Sequence, residues 1–213
     1  MLWRSSAAPA RRPPGFIEPC LPTLADMVPS GPQWVHEIKH DGFRFICRRD
    51  GDRVRVFSRR GHDWTDRVPR IAEALAKLRV KSVTLDGEGV VCRDDGVSDF
   101  DKLRAAVGRL GSRDAFLYAF DLLEINGTDL RRDSWEVRRA TLTSVLRKAR
   151  DGIKLSEHLA TTDGDTIFRH ACAMGLEGIV AKRRDRPYRS GRSADWIKVK
   201  NPDAPAAIRV LEF

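Results

Sequence analysis

The sequence predicts an α+β fold of mainly antiparallel sheets flanked by helices. Three features carry that expectation. Stretches between Trp34 and Ser58 alternate apolar and polar residues, as strands with one covered face do. An unbroken apolar run, Phe116 to Leu123, has the pattern of a buried central strand, and the hairpin dipeptide Asn126-Gly127 follows it. Between such runs apolar residues recur at helical spacing, so strands, hairpins and helices interleave.

Residues 1–15, rich in Pro, Ala and Arg, read as a flexible basic tail. Pro19, Pro22, Pro29 and Pro32 then favour an extended wrapping segment over a helix or strand. Strands are expected at Trp34 to Lys39, Phe43 to Arg48 and Val54 to Ser58, with Arg49 to Asp52 as the turn between the last two. Period two puts Phe43, Phe45 and Cys47 on one face and Arg44, Ile46 and Arg48 on the other. Val68, Ile71, Ala72, Leu75 and Leu78 mark an amphipathic helix. Val83 to Cys92 is a strand pair or one strand bent at Gly87 and Gly89. Phe100, Leu103, Ala106 and Val107 make a short helix face. Trp135 to Arg150 and Asp163 to Met174 read as helices. Late strands at Glu177 to Lys182 and Trp196 to Lys200 are joined by a basic loop, Arg183 to Arg192. No internal repeat is visible.

The 213 residues suit one large domain or two joined lobes, and 41% hydrophobic with 32% charged residues supports a sizeable core and excludes wholesale disorder. No apolar run nears the roughly 20 residues of a membrane span, so no membrane partner is expected. The acid-free start, MLWRSSAAPARRPPGF, lacks a secretory apolar stretch; it shares composition with transit peptides but is short and proline-rich. A cytoplasmic monomer is the expectation. The net charge of +9 suits a polyanionic partner or an arginine-rich solvated surface, and charge alone does not choose between them. Cys20, Cys47, Cys92 and Cys172 form no C-x-x-C pair and, with five scattered histidines, no zinc-ligand spacing; they read as reduced core thiols.

The chemistry centres on Glu37-Ile38-Lys39-His40-Asp41-Gly42-Phe43-Arg44. On a strand Glu37, Lys39 and Asp41 share one face, Val35 and Ile38 are free to pack nearer the core, and Gly42 permits a tight backbone or close ligand approach. Alone, this octapeptide reads as a charged surface ladder beside a turn. Four further blocks change its weight: Phe57-Ser58-Arg59-Arg60-Gly61; Leu85-Asp86-Gly87-Glu88; Tyr118 to Leu123; and Glu177-Gly178-Ile179-Val180-Ala181-Lys182 followed by Trp196-Ile197-Lys198-Val199-Lys200. In this order they resemble the covalent nucleotidyltransferases: ATP-dependent DNA ligases, RNA ligases and mRNA capping enzymes. Tyr188 to Trp196 is especially similar to the ligase module of bacterial end-joining ligases. The resemblance covers about residues 16–203.

The resemblance implies a nucleotidyltransferase (ATP-grasp-like) fold and an adenylation domain over 16–203, with ATP as AMP donor and Mg²⁺ (or Mn²⁺) as cofactor. Lys39 is the implied nucleophile on the α-phosphate of ATP. An unperturbed lysine has a pKa of about 10.4, so only about one in a few thousand is neutral at pH 7. Lys198, Lys200 and the metal would favour the neutral amine, whereas Asp41 opposes it and is assigned to positioning. By matching position, Glu37 resembles the reader of the adenine amino group, and Arg44 and Arg59 the groups that engage ribose, AMP phosphate or a nick 5′-phosphate. Glu88 is similar to an acid at ribose or metal and Glu177 to a metal-associated carboxylate. Phe120 looks like the adenine stacking ring, and Lys182, Lys198 and Lys200 would neutralise phosphate charge. Each has a plainer reading: Phe120 as core, Glu88 as a turn residue, Lys198 and Lys200 as a half-exposed strand face. The loop Arg183 to Arg189 suits DNA phosphates and a solvated surface equally.

Residues 204–213 read as a tail too short for the five strands of the OB-fold that such ligases usually carry. Nicked or broken double-stranded DNA is the expected partner, with end-joining repair proteins or a separate OB-type lobe beside it; a fragment or a degenerate paralogue is the alternative to a partner-supplied lobe. The alternatives are an RNA ligase or GTP-using capping enzyme, and a non-catalytic nick- or end-binding module.

Overall fold

The computed structural model describes residues 13–109, 111–149, 151–159 and 163–205. Most of both expected tails, residues 1–12 and 206–213, and the expected helical Arg150 lie outside the described residues.

Two sheets face each other. The strands are β1 (Cys20–Leu24), β2 (Trp34–Ile38), β3 (Phe43–Asp50), β4 (Arg53–Ser58), β5 (Ser82–Val90), β6 (Phe116–Ile125), β7 (Thr128–Asp129), β8 (Ile153–Leu155), β9 (His158–Leu159), β10 (Gly178–Arg183) and β11 (Gly191–Lys200). The helices are α1 (Pro69–Ala76), α2 (Phe100–Arg109), α3 (Trp135–Leu146) and α4 (Gly164–Ala173). One sheet has the order β1-β11-β10-β2-β9; the other runs β4-β3-β5-β6-β7, with β8 also on β6. Every pair is antiparallel except β1 with β11 and β6 with β8.

Alternation sorts the side chains into three apolar clusters. On β3, Phe45 and Cys47 join Ile71 and Leu75 of α1, Leu103 of α2 and Leu142 of α3 behind the second sheet. Ile46, from the opposite face, packs between the sheets with Phe57, Phe120, Leu123 and Trp196. Ile179, Ala181 and Val199 pack on Ile167 and Ala171 of α4 behind the first sheet. The layers thus run from α4 through both sheets to α1, α2 and α3. Asn126 (φ 50°) and Gly127 (φ 86°) make the expected left-handed turn between β6 and β7. Ser134 and Asp163 cap α3 and α4 by accepting from Val137 and Thr166 N–H.

Several expectations need correction. The proline-rich segment contains a strand: β1 sits at a sheet edge, where Pro22 costs no central ladder bond, and the register shifts after it. Residues 82–90 form one strand, with register shifts beside Thr84 and Asp86. Gly87 serves close packing there, since a Cβ would stand 2.7 Å from the Tyr118 carbonyl oxygen. The helix expected to reach Arg150 ends at Leu146. β11 begins at Gly191, which shortens the expected basic loop. Cys20 and Cys47 are buried core thiols, but Cys92 and Cys172 are only half-buried. Among the described residues no helix is long and apolar enough to cross a membrane.

Candidate nucleotide-binding active site

A cleft of about 450 Å³, open to solvent at its mouth, lies between the sheets. Alternation within the strands accounts for part of its lining, and the segment Glu37 to His40 lines it without a break. The first sheet contributes Glu37 from β2, Lys39 just beyond it, Val180 and Lys182 from β10, and Trp196 from β11. The second contributes Arg44, Glu88 and Phe120 from β3, β5 and β6. Lys39 extends the ladder, its N–H donating to the Gly178 carbonyl (2.9 Å). Its Nζ lies 2.5 Å from Glu177 Oε2.

The inner end of the cleft is a buried ion pair. Lys182 Nζ lies 2.9 Å from Glu37 Oε1, with side-chain exposures of 2% and 3%. The ammonium also sits 4.3 Å and 4.2 Å from the ring centroids of Phe120 and Trp196. Burial pushes the Glu37 carboxyl up, and Lys182 pulls it back. Burial pushes the Lys182 ammonium down, against Glu37 and Asp121. Ser156 Oγ donates to the other Glu37 oxygen at 3.3 Å. Arg44 grips Asp86 with two bonds (2.6 and 2.8 Å) and lies 4.4 Å over the Phe120 ring. Burial opposes the Arg44 charge, but Asp86 outweighs it and holds the guanidinium firmly protonated.

Glu88 is half-buried, and burial pushes its carboxyl up to about 7 despite the favourable charges of Lys39 and Arg44; Glu177 pushes it further in the same direction. The Lys198 ammonium is held below its ordinary range, first by burial, then by the positive charges of Lys39, Lys200 and Arg59. Asp41 does not line this cleft. With Lys39 and Glu177 it borders an adjoining cavity of about 650 Å³.

A family model described as ATP dependent DNA ligase domain matches residues 22–200. The chain belongs to the ATP-dependent DNA ligase family. It is 39% identical over 204 residues to the multifunctional non-homologous end joining protein LigD of Pseudomonas aeruginosa, covering 92% of this chain and 24% of that protein. The Mycobacterium tuberculosis LigD is 36% identical over 170 residues, covering 79% and 22%. The chain therefore spans about a quarter of the length of these relatives. Among solved structures, a mycobacterial DNA ligase D complexed with ATP and MES superposes with a TM-score of 0.72 at 35% identity, covering 85% of this chain and 59% of that one. The M. tuberculosis LigD ligase domain gives 0.72 at 34%, covering 85% and 60%.

Within this ligase domain the structure gathers Glu37, Lys39, Arg44, Glu88, Phe120 and Lys182 around one cleft. Glu177 reaches it through Lys39. Lys198 and Lys200 follow Trp196 on the same face of β11, but neither lines the cleft, and Lys200 and Arg59 are exposed. Lys182 departs from expectation: its ammonium is committed to Glu37 and two rings rather than presented to phosphates. The loop arginines Arg183, Arg184 and Arg186 pair with Asp185, Glu136 and both Asp185 and Asp195, which favours a pinned loop over a free phosphate-binding one.

The sequence blocks include Asp86, Trp196 and Tyr188 but assign none of them a role in the site. Period two would have found the first two, because Asp86 shares a strand face with Glu88, and Trp196 with Lys198. No local signal marks Tyr188, whose hydroxyl donates to Asp86 Oδ2 (2.6 Å) and accepts from Cys20 N–H (2.8 Å) across 102 and 168 positions.

Proposed function

We infer that the protein takes AMP from ATP onto Lys39 and passes it to the 5′-phosphate of nicked or broken duplex DNA, as the adenylation domain (16–203) of a bacterial repair ligase. The Lys39–Glu177 contact at the mouth of an inter-sheet cleft carries this reading. The ammonium must lose a proton before it attacks, and Glu177 Oε2, 2.5 Å away, is the acceptor at hand. The neutral amine then forms an N–P bond to the α-phosphate as the P–O bond to pyrophosphate breaks. Lys198 and Lys200 supply positive charge on that side, while Asp41 positions the turn after Lys39. At the inner end Glu37 accepts from the adenine amino group, Phe120 offers its ring, and Arg44 keeps Nη1 for ribose or phosphate. Lys182 opposes the burial that disfavours the Glu37 charge, and Arg59 meets the nick phosphate.

Among the described residues no group of three or more His, Cys, Asp or Glu is gathered for a metal. Glu88 and Glu177 nevertheless fit Mg²⁺ or Mn²⁺: the negative charge of Glu177 disfavours that of Glu88, and phosphate and water oxygens would complete such a shell. The ion would neutralise phosphate charge. The separated free thiols suit a reducing compartment, which supports a place in the bacterial cytoplasm.

The test is incubation with labelled ATP or GTP, followed by a chase with nicked DNA. The expected outcome is label from ATP on wild-type protein, none on Lys39→Ala, and transfer of AMP to the DNA end. Nicked DNA shifted in a gel by a protein that ATP never labels would identify a binding module instead.

A further inference from the structure

We propose that Asn201 is a positioning residue for adenylation: it fixes the turn that aims Glu177 at Lys39. The proposal rests on Lys39 being the nucleophile. Asn201 directly follows β11 and is 1% exposed, yet none of its polar atoms reaches the cleft. Its N–H donates to the Glu177 carbonyl at 2.9 Å. Its side-chain Nδ2 donates to the Leu176 carbonyl at 3.0 Å, and its Oδ1 accepts from Asp203 N–H at 3.0 Å. One buried residue thus ties two successive carbonyls of the turn to the segment leaving β11, that of Glu177 through its backbone and that of Leu176 through its side chain.

The turn is held from two other sides. Leu176 N–H donates to the Ala171 carbonyl at the end of α4 (3.0 Å), and Gly175 takes the left-handed conformation (φ 68°) that closes that helix. Beyond the turn, Gly178 pairs with Lys200 at φ 141°, where an added Cβ would collide with the Val199 carbonyl. Glu177 lies between these anchors, and among the described residues only the Asn201 bonds reach both its carbonyl and that of its neighbour. Losing the Nδ2 donor leaves the Leu176 carbonyl without that bond and lets the turn shift. A displacement of about 1 Å matters where a 2.5 Å contact orients the nucleophile.

Asn201→Asp removes the donor and keeps the shape and the acceptor for Asp203, at the cost of a buried carboxyl against the Leu176 carbonyl. Asn201→Ala removes both. The first readout needs neither ATP nor metal: brief acetylation of the full chain with acetic anhydride, quantified per lysine by mass spectrometry. Lys39 is expected to gain reactivity about threefold in both variants as its ion pair loosens. Lys182, buried in its aromatic box, stays protected and reports that the fold is intact. With labelled ATP, the maximal rate of Lys39–AMP formation should fall about tenfold while the KM for ATP changes less than about twofold. Unchanged Lys39 acetylation in Asn201→Asp overturns the proposal. So does loss of Lys182 protection in both variants, which would assign Asn201 to global stability. If wild-type protein forms no Lys39–AMP, the functional reading fails, while the acetylation result still decides whether Asn201 positions Glu177.

Discussion

Replacing Lys182 by Met isolates the interaction at the inner end of the cleft. The substitution removes the ammonium 2.9 Å from Glu37 and leaves a carboxyl that is 3% exposed without its counter-charge. Breaking a buried pair from one side costs about 3–5 kcal/mol. The cation also loses its contacts with Phe120 and Trp196, worth about 1 kcal/mol each, while the Met side chain regains about 1–2 kcal/mol of apolar packing. The fold should therefore lose about 3–6 kcal/mol near pH 8. The deficit depends on pH, with a definite sign. Burial raises the folded-state pKa of Glu37 above its unfolded value, and removing Lys182 raises it further. Stability is then fully present below the unfolded pKa and lost as pH rises through the folded one. Near pH 5.5 the variant should lie within about 1–2 kcal/mol of wild type. Urea unfolding followed by tryptophan fluorescence, on wild type, Lys182→Met, Glu37→Gln and the double variant, measures each arm. The double variant should recover about 2–4 kcal/mol of coupling. A deficit under about 1 kcal/mol, one that ignores pH, or strict additivity would refute the reasoning.

Glu88 supplies a second pH-dependent prediction. Its folded pKa of about 7 exceeds 4.5, so its contribution to stability is present below 4.5 and lost as pH rises through about 7. Glu88→Gln should be more stable than wild type by about 1–2 kcal/mol near pH 8, with the gap closing near pH 5, as measured by thermal unfolding. The same variant should slow Lys39–AMP formation by about tenfold or more; equal rates would remove Glu88 from the site. Gly178→Ala places a Cβ against the Val199 carbonyl in a backbone conformation reserved for glycine. It should cost about 3 kcal/mol in denaturant unfolding and slow Lys39–AMP formation; wild-type stability would show that β10 can shift relative to β11.

The sequence by itself determined the antiparallel α+β architecture, the order of the five blocks, and which residues of each strand share a face. Alternation is a local consequence of the extended backbone, so it set which side chains of one strand share a face, while the resemblance implied that Glu37, Lys182, Arg44 and Glu88 serve one site. The family resemblance, carried by the same blocks, agrees with the match over residues 22–200. Only the tertiary structure decided which charges meet. Lys182 finds Glu37 across 145 positions, Tyr188 finds Asp86 across 102, and Asn201 ties the Glu177 turn from the opposite end of a hairpin. Such pairings depend on how two sheets stack and which strand lies beside which, and no local periodicity encodes either. The edge strand at Cys20–Leu24 has the same cause. Its prolines argue against a strand locally, and its partner β11 lies about 170 residues away, as the Thr23–Ser193 bond spans. Local physics therefore set which neighbours on a strand share a face, and long-range packing brought Glu177 within reach of Lys39.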